Sequence, residues 1–284
     1  MENGRASRTA LRVAIRRAAH QRLDTPRVFD DPLAMRIIGT EFAARLAARA
    51  EEHSGIASRS FRAFLVVRSK YAEDELARAV SDGVRQYIVF GAGLDTFAYR
   101  NSHTASGLRV FELDHPATQE WKREQLRSAG INIPAEMIFV PLDFERETIA
   151  DALGRVGFAL EEKAFFSWLG VTPYLTDRAF AETVGFTASM PPGSGVVFDY
   201  AVPRSPLNLI GRFAFDRLSA RVAGAGESFQ LFFDPKRLEE RLREMGFTDI
   251  ENIGVDEIDA RYFRGRADGL RVRGALGRLI CAWK

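Results

Sequence analysis

Short strand-like runs alternate with helical segments from about Val84 onward, and this alternation restricts the folds that the chain can adopt. The runs are rich in Val, Ile and Phe and occupy residues 87–90, 109–113, 137–140, 164–168 and 195–200. Helical segments separate the later runs and cover residues 116–129, 147–156 and 177–189. Strands joined through helices pair in parallel, and their sheet is covered on both faces. The alternation therefore predicts an α/β fold built on a doubly wound, mostly parallel sheet.

The beginning of the chain departs from this alternation. Residues 1–80 show helical apolar spacing at 10–21, 32–50 and 58–80 and are predicted to form an N-terminal helical cap. Asp30-Asp31-Pro32 is a helix-start signal, with an acid at the cap and proline in the first turn.

The end of the chain completes the predicted core. Residues 81–202 form its main part, residues 203–233 an inserted lid, and residues 234–284 the remainder. In that remainder a helix at 234–245 precedes strands at 248–253 and 273–283. These strands suit an antiparallel hairpin, which would bring the sheet to seven strands.

Composition and charge exclude several classes of function. The 284 residues carry a formal net charge of +2, which gives no case for a dedicated nucleic-acid surface. The arginines of the first two dozen residues indicate the solvated face of an amphipathic helix, with a transit peptide or an anion-binding arm as alternatives. No apolar run approaches the roughly 20 residues of a membrane span. The single Cys281 excludes an internal disulfide, so we expect a cytoplasmic protein with Cys281 in its core.

The most informative segment is the turn after the first strand, Gly91-Ala92-Gly93-Leu94-Asp95-Thr96. Its two glycines let the backbone approach a ligand at the carboxyl end of the strand. Thr96 stands where a dinucleotide fingerprint has its third glycine, and Asp95 would repel a pyrophosphate. A cationic nucleoside such as S-adenosylmethionine would be tolerated. A purely structural turn is the alternative.

Acidic residues end the next two strands, at the edge where a doubly wound sheet binds its ligand. Glu112 and Asp114 stand roughly 20 residues after the glycine turn, where an acid accepts hydrogen bonds from ribose hydroxyls. Being two positions apart they point to one side of the strand, so one or both could serve, and Asp114 could instead cap the helix that starts at Pro116. Asp143 is a candidate acceptor for the adenine amine, with Phe144 packed against the base and a plain strand-end turn as the alternative.

These elements occur in an order that resembles the leucine carboxyl methyltransferase family, in particular its bacterial branch with polyketide O-methyltransferases. The resemblance covers nearly the whole chain and rests on Asp31-Pro32-Leu33-Ala34, Arg68, the glycine turn, Phe111-Glu112-Leu113-Asp114, Asp143 and Ser167-Trp168-Leu169-Gly170-Val171-Thr172-Pro173-Tyr174-Leu175. It implies a class I S-adenosylmethionine-dependent methyltransferase with a Rossmann-like seven-stranded core and a small-molecule acceptor.

The resemblance also implies roles for single residues in holding the cofactor. Gly91 and Gly93 would border its methionine part, and Arg68 would clamp the carboxylate of that part with a planar fork. Asp114 would hold the ribose, and Asp143 with its neighbour would hold the adenine.

One position departs from the family pattern. Many relatives carry a glutamate where Leu169 stands, and that glutamate helps to hold the cofactor. In this chain the cofactor ammonium would be held by backbone carbonyls or by Asp95.

Catalytic acids and bases are scarce in the sequence. His20 and His53 are expected at the surface, His103 in a polar loop and His115 at a helix start. No Ser/His/Asp arrangement and no metal-ligand spacing is present. Tyr174 is the candidate for positioning the acceptor, whereas Phe97 and Trp168 could line the site but suit the core better.

The scarcity of bases favours one acceptor class. A carboxylate, with a reference pKa near 4, is ionised at neutral pH and needs no base, whereas a phenol with a pKa of about 10 benefits from one. The sequence therefore favours an O-methyltransferase that forms methyl esters, with secondary metabolism as its expected setting. The alternatives are an NAD(P)-dependent oxidoreductase and a catalytically silent protein that binds the cofactor for regulation.

The predicted lid, residues 203–233, combines apolar and basic side chains. Its phenylalanines could wall an apolar pocket and its arginines could bind an acidic acceptor, with an ordinary helical hairpin as the alternative. The phenylalanines are Phe213, Phe215, Phe229, Phe232 and Phe233, the arginines are Arg204, Arg212, Arg217 and Arg221, and Glu227 is expected to face the acceptor.

Overall fold

A computed structural model of the chain describes residues 8–143, 147–203, 229–274 and 277–284. Seven strands lie in these ranges: β1 Gln86–Phe90, β2 Arg109–Asp114, β3 Met137–Pro141, β4 Ala164–Trp168, β5 Gly195–Ala201, β6 Asp249–Ile253 and β7 Gly277–Trp283. They form one sheet in the order β3-β2-β1-β4-β5-β7-β6. Strands β1 to β5 pair in parallel, and β7 runs antiparallel to both of its neighbours. The predicted seven-stranded, mostly parallel α/β fold is confirmed.

Helices cover both faces of this sheet and form most of the segment before it. The described helices are α1 Arg8–Leu23, α2 Ala34–Ile37, α3 Thr40–Ala48, α4 Ile56–Ser81, α5 Pro116–Ser128, α6 Ile149–Gly154, α7 Asp177–Ala188, α8 Pro235–Glu244 and α9 Val255–Tyr262. Short 3-10 turns lie at Ala50–His53, Phe97–Tyr99, Thr104–Ser106 and Thr172–Tyr174. Several helices begin at a side-chain cap, as where the Asp234 carboxylate accepts from the backbone N–H groups of Lys236 and Arg237.

The sheet separates two hydrophobic cores. Successive residues of a strand point to opposite faces, so Phe90 and Phe166 belong to one core while Val89 and Phe165 belong to the other. Every residue of β1, β4 and β5 is buried, which is the pattern expected of parallel strands covered on both sides. Cys281 lies buried in β7, as expected.

Three sequence expectations about local structure are wrong. Residues 32–50 do not form one helix, because Gly39 has φ +82° and its left-handed backbone separates α2 from α3. The last two strands are neighbours in the sheet, but α9 connects them in place of a tight hairpin turn. The strand predicted at 273–283 is too long at its start, because Arg273 and Gly274 are described outside any strand and β7 covers Gly277–Trp283.

The N-terminal helix α1 is held to the sheet by buried charges. The Arg17 guanidinium donates to the Asp31 carboxylate, to the Thr96 hydroxyl at 2.6 Å and to Asp95 at 3.2 Å. Burial alone would raise the pKa of Asp31, but Arg17 and Arg100 outweigh it and hold that pKa below its ordinary value. The basic face of this helix is therefore not wholly solvated, because Arg17 is buried in an ion pair.

A second buried network joins α1 to α4. His20, predicted at the surface, is fully buried: its Nδ1 lies 2.8 Å from Asp24, and its Nε2 accepts from the N–H groups of Val28 and Phe29. Arg62 donates two bonds of 2.7 Å to the same Asp24 carboxylate. Helices α1 and α4 of the cap are thus held together by paired charges as well as by apolar contacts.

No helix in the described ranges is at once long enough and apolar enough to cross a bilayer.

We expect Arg17→Ala to destabilise the fold strongly, by about 3–5 kcal/mol, because it leaves the Asp31 carboxylate buried without its main partner. Urea unfolding of the purified protein measures this loss as a lower midpoint. The matched control is Arg12→Ala on the exposed side of the same helix, which should change stability by less than about 0.5 kcal/mol. Equal, small losses in both variants would contradict the anchoring role of Arg17.

Candidate functional site

The turn after β1 is enclosed by two other parts of the chain. Gly91 has φ +61° and Gly93 has φ +47°, a backbone region that side-chain-bearing residues avoid. A Cβ atom at Gly91 would lie 2.5 Å from Val171 Cγ2, and one at Gly93 would lie 2.9 Å from the Ala10 side chain. Glycine therefore suits both positions for two reasons: it adopts the positive φ, and it leaves room for the neighbouring side chains.

Asp114, at the end of β2, is bonded to this turn. Its carboxylate accepts from the backbone N–H of Gly93 at 2.7 Å and from that of His115 at 2.7 Å. Burial raises the pKa of Asp114, although both N–H groups favour the charged form. The helix cap is instead His115, as expected of it, because its Nδ1 accepts from the Ala117 N–H. Each Asp114 oxygen keeps a lone pair that a ligand hydroxyl can use.

Glu112 occupies a different environment. Only 1 % of it is exposed, and one carboxylate oxygen accepts from Lys122 Nζ at 2.6 Å and from the Tyr99 hydroxyl at 3.2 Å. Burial raises the pKa of Glu112 to about 7, against the opposing effect of Lys122. The sequence placed Glu112 beside Asp114 as a second ribose acceptor; in the structure its partners are Lys122 and Tyr99, inside the protein.

Arg68, on α4, reaches the same edge of the sheet. It is 6 % exposed, and its Nη1 donates to Asp199 at 2.9 Å. Its guanidinium lies against Gly170, where a Cβ atom would be 2.7 Å from Nη2. Among the described residues the other N–H groups of Arg68 have no hydrogen-bond partner, so a buried arginine keeps most of its donors for a ligand.

Asp199, on β5, is a site residue that the sequence analysis missed. One of its oxygens bonds Arg68, and the other accepts from the Gly170 N–H at 2.5 Å. A signal for it was present, since Asp199 interrupts the otherwise apolar run of β5 and a buried acid requires a partner. Its partners lie far away in the sequence, so no local pattern identifies them.

The remaining acidic candidates lie around the turn. Asp95 accepts from the Phe97 N–H at 2.8 Å as well as from Arg17, so its charge is already matched by an arginine. Asp143 follows β3 and is half-buried. Phe144 lies outside the described residues. Leu169 packs against the apolar core on one face of the sheet, which provides no carboxylate at that position.

The aromatic candidates separate into two groups. Phe97 and Trp168 are buried in the core, where Trp168 stacks on Phe180 at 5.8 Å, so they do not line an open site. Tyr174 is half-buried and lies 5.4 Å from the Phe229 ring, at the returning end of the predicted lid.

The predicted lid falls mostly outside the described residues. The lid residues outside the described ranges include Phe213, Phe215, Arg204, Arg212, Arg217, Arg221 and Glu227. Its described end contacts the site loop, because the N–H groups of Gln230 and Leu231 both donate to the Pro173 carbonyl. In the same described ranges no three His, Cys, Asp or Glu side chains are grouped closely enough to hold a metal ion.

Comparisons with known proteins agree on one family. The family model described as leucine carboxyl methyltransferase matches residues 10–188. A Bacillus subtilis (strain 168) protein named "Putative S-adenosyl-L-methionine-dependent methyltransferase YktD" is 33% identical over 95% of this chain and 95% of its own length. A Mycobacteroides abscessus protein of the same name without the suffix is 31% identical over 91% of this chain and 85% of its own.

Solved structures resemble the fold. The crystal structure of a "putative methyltransferase" from Thermobifida fusca YX has a TM-score of 0.57 and 17% identity, covering 100% of this chain and 96% of its own. A DUF574 family protein from Streptomyces avermitilis has a TM-score of 0.53 and 18% identity, covering 88% and 97%. At such identities the likeness concerns the fold alone.

We expect Gly91→Ala to destabilise the protein more than Gly107→Ala. Both glycines have positive φ, but a Cβ at Gly107 meets no atom within 4 Å, so that variant reports the backbone strain alone, roughly 1–2 kcal/mol. At Gly91 the contact with Val171 adds an overpacking cost of roughly 1–3 kcal/mol. Urea unfolding compares the two.

A double variant isolates the steric contribution. Val171→Ala in the Gly91→Ala background should recover part of the excess loss, since the two side chains no longer overlap. If Gly91→Ala and Gly107→Ala cost the same, the close approach of Val171 is not what requires glycine there.

Proposed function

This chain belongs to the leucine carboxyl methyltransferase family, and we propose that it transfers a methyl group from S-adenosylmethionine to a carboxylate oxygen of a small organic acceptor. The family and the names of the relatives both indicate methyl transfer from this cofactor. The oxygen, the carboxylate and a place in secondary metabolism are our extension of it, as is a cytoplasmic location, which rests on the use of a single, buried cysteine.

The residues around the glycine turn fit the cofactor. The observation that carries this assignment is Arg68, buried with most of its donors unpartnered among the described residues, at the edge where doubly wound sheets bind ligands. A planar guanidinium suits the carboxylate of a methionine. Asp114 has lone pairs for a ribose hydroxyl, Gly91 and Gly93 leave room for the chain of the ligand, and Asp143 is assigned to the adenine together with Phe144. When bound, the cofactor supplies an electrophilic methyl group on a sulfonium.

The chemical class of the acceptor is inferred from the acids and bases of the described chain. His20, His115 and Glu112 are each engaged in structural contacts, and Tyr174 is assigned to positioning the acceptor. A carboxylate arrives ionised at neutral pH, whereas a phenol would depend on a base to lose its proton. A site that binds, orients and excludes water is sufficient for the former.

The two alternative functions are not equally supported. An NAD(P)-dependent oxidoreductase is disfavoured by the family and by Asp95, which stands in the loop where a pyrophosphate would bind. A catalytically silent cofactor-binding protein has the same fold and the same pocket, so only a transfer assay separates it from the proposal.

We expect Arg68→Ala and Asp114→Ala each to weaken cofactor binding by roughly 1–3 kcal/mol, the scale of a lost hydrogen bond to a charged group. Isothermal titration with S-adenosylmethionine gives the affinities, and thermal melts check the fold. The controls are Arg178→Ala and Asp30→Ala, whose side chains are largely exposed. Unchanged affinity in both site variants would refute this pocket.

Methyl transfer itself provides a further test. With labelled cofactor and a panel of carboxylic and phenolic acceptors, we expect label in a product that releases methanol under mild alkali, because methyl esters hydrolyse there and methyl ethers do not. The kcat/KM for a carboxylate should stay flat between about pH 6 and 9, while that of an unassisted phenol rises tenfold per unit. Alkali-stable label would overturn the carboxylate assignment, and tight cofactor binding without transfer would favour the silent protein.

A further inference from the structure

Arg68 and Asp199 carry opposite charges and lie buried beside the glycine turn. The proposed function gives a role to Arg68 but none to Asp199. We propose that Asp199 binds the α-ammonium group of the cofactor while Arg68 binds its α-carboxylate, so that the two residues together recognise the zwitterionic end of the ligand. This inference rests on the proposed cofactor and deepens it.

The charges of the pair match those of an amino acid. Arg68 and Asp199 are 6 % and 5 % exposed, so each interacts with its surroundings more strongly than in water. Arg68 alone would attract any anion. With Asp199 at 2.9 Å the pair is neutral overall and offers one positive and one negative group, which is complementary to a zwitterion and not to a bare anion.

Both residues have unused hydrogen-bonding capacity. A guanidinium has five N–H donors, and Arg68 uses one of them on Asp199 within the described part of the chain. A carboxylate accepts about four bonds, and Asp199 accepts from Arg68 and from the Gly170 N–H. Buried groups with such capacity are costly unless a partner completes them, and a bound amino-acid group supplies both partners.

The pair lies where the methionine end of the ligand belongs. Asp199 is bonded to Gly170, and the next residue, Val171, packs against Gly91 in the glycine turn. Asp114 contacts the other side of that turn through Gly93. A ligand with its ribose at Asp114 and its chain over the turn therefore extends toward Arg68 and Asp199.

Asp95 and the position of Leu169 are less suited to the ammonium. The Asp95 carboxylate already accepts hydrogen bonds from Arg17 and from the Phe97 N–H. Leu169 packs into the apolar core and carries no charge. Asp199 is the acid in direct contact with Arg68, so it is the one that an ammonium beside the bound carboxylate meets.

The test uses Asp199→Asn, which keeps the size of the side chain and an oxygen for the Gly170 N–H but removes the charge. Titration calorimetry compares three ligands: S-adenosylhomocysteine, its deaminated analogue that keeps the carboxylate, and 5′-methylthioadenosine, which lacks the whole amino-acid end. We expect the variant to lose roughly tenfold to a hundredfold in affinity for the first ligand, the size of a lost hydrogen bond between charged groups. Affinity for the other two should be retained.

The outcomes separate the proposals. If the wild-type protein does not bind S-adenosylhomocysteine, the proposed function fails. If it binds, but Asp199→Asn weakens the deaminated analogue equally, Asp199 only holds Arg68 in place and the ammonium assignment is overturned. The control Asp30→Asn, at an exposed site, should bind all three ligands as the wild type does.

A second variant covers the case in which Asp199→Asn does not fold. Replacing both partners, as Arg68→Met with Asp199→Leu, removes the pair without leaving a lone buried charge, an exchange that proteins tolerate. The wild-type preference for S-adenosylhomocysteine over its deaminated analogue should disappear in this double variant. A preference that persists contradicts the role of Asp199.

Discussion

The glycine turn after β1 is the constraint around which the rest of the site is arranged. Its backbone conformation requires glycine, and the absence of side chains lets Val171 approach from the β4 loop and Ala10 from α1. Asp114 binds the turn from the β2 side. Three segments that are distant in sequence therefore meet at one short stretch of backbone, and a change there displaces all of them together.

Three pairs of opposite charges are buried around this turn in the described part of the chain. Arg17 with Asp31, Lys122 with Glu112 and Arg68 with Asp199 each place a cation within hydrogen-bond reach of an acid. Such pairs add little net stability when whole, but removing one partner is costly because the other stays desolvated. Arg68 with Asp199, and Arg17 through its further bonds to Asp95 and Thr96, therefore specify how the cap fits onto the sheet more than they stabilise either.

The sequence predicted the sheet well, because strands are visible in local patterns. Five strands appeared as apolar runs, and Asp114 as an acid at a strand end. Long-range partners could not be predicted in this way. Asp199 and Arg68 are 131 residues apart, and Arg17 and Thr96 are 79 apart, so only the fold brings them together. The burial of His20 and of Arg17 was missed for the same reason. The roles of the individual site residues toward the cofactor stay predictions.

The distribution of titratable groups also bears on the chemistry. Glu112 has a raised pKa of about 7, which would suit a general base, yet it is buried and bonded to Lys122 and Tyr99. His20 and His115 use their ring nitrogens to fix backbone turns. In the described structure these three groups therefore make structural contacts. The proposed carboxylate acceptor fits this distribution, because it arrives ionised and would require only orientation and exclusion of water.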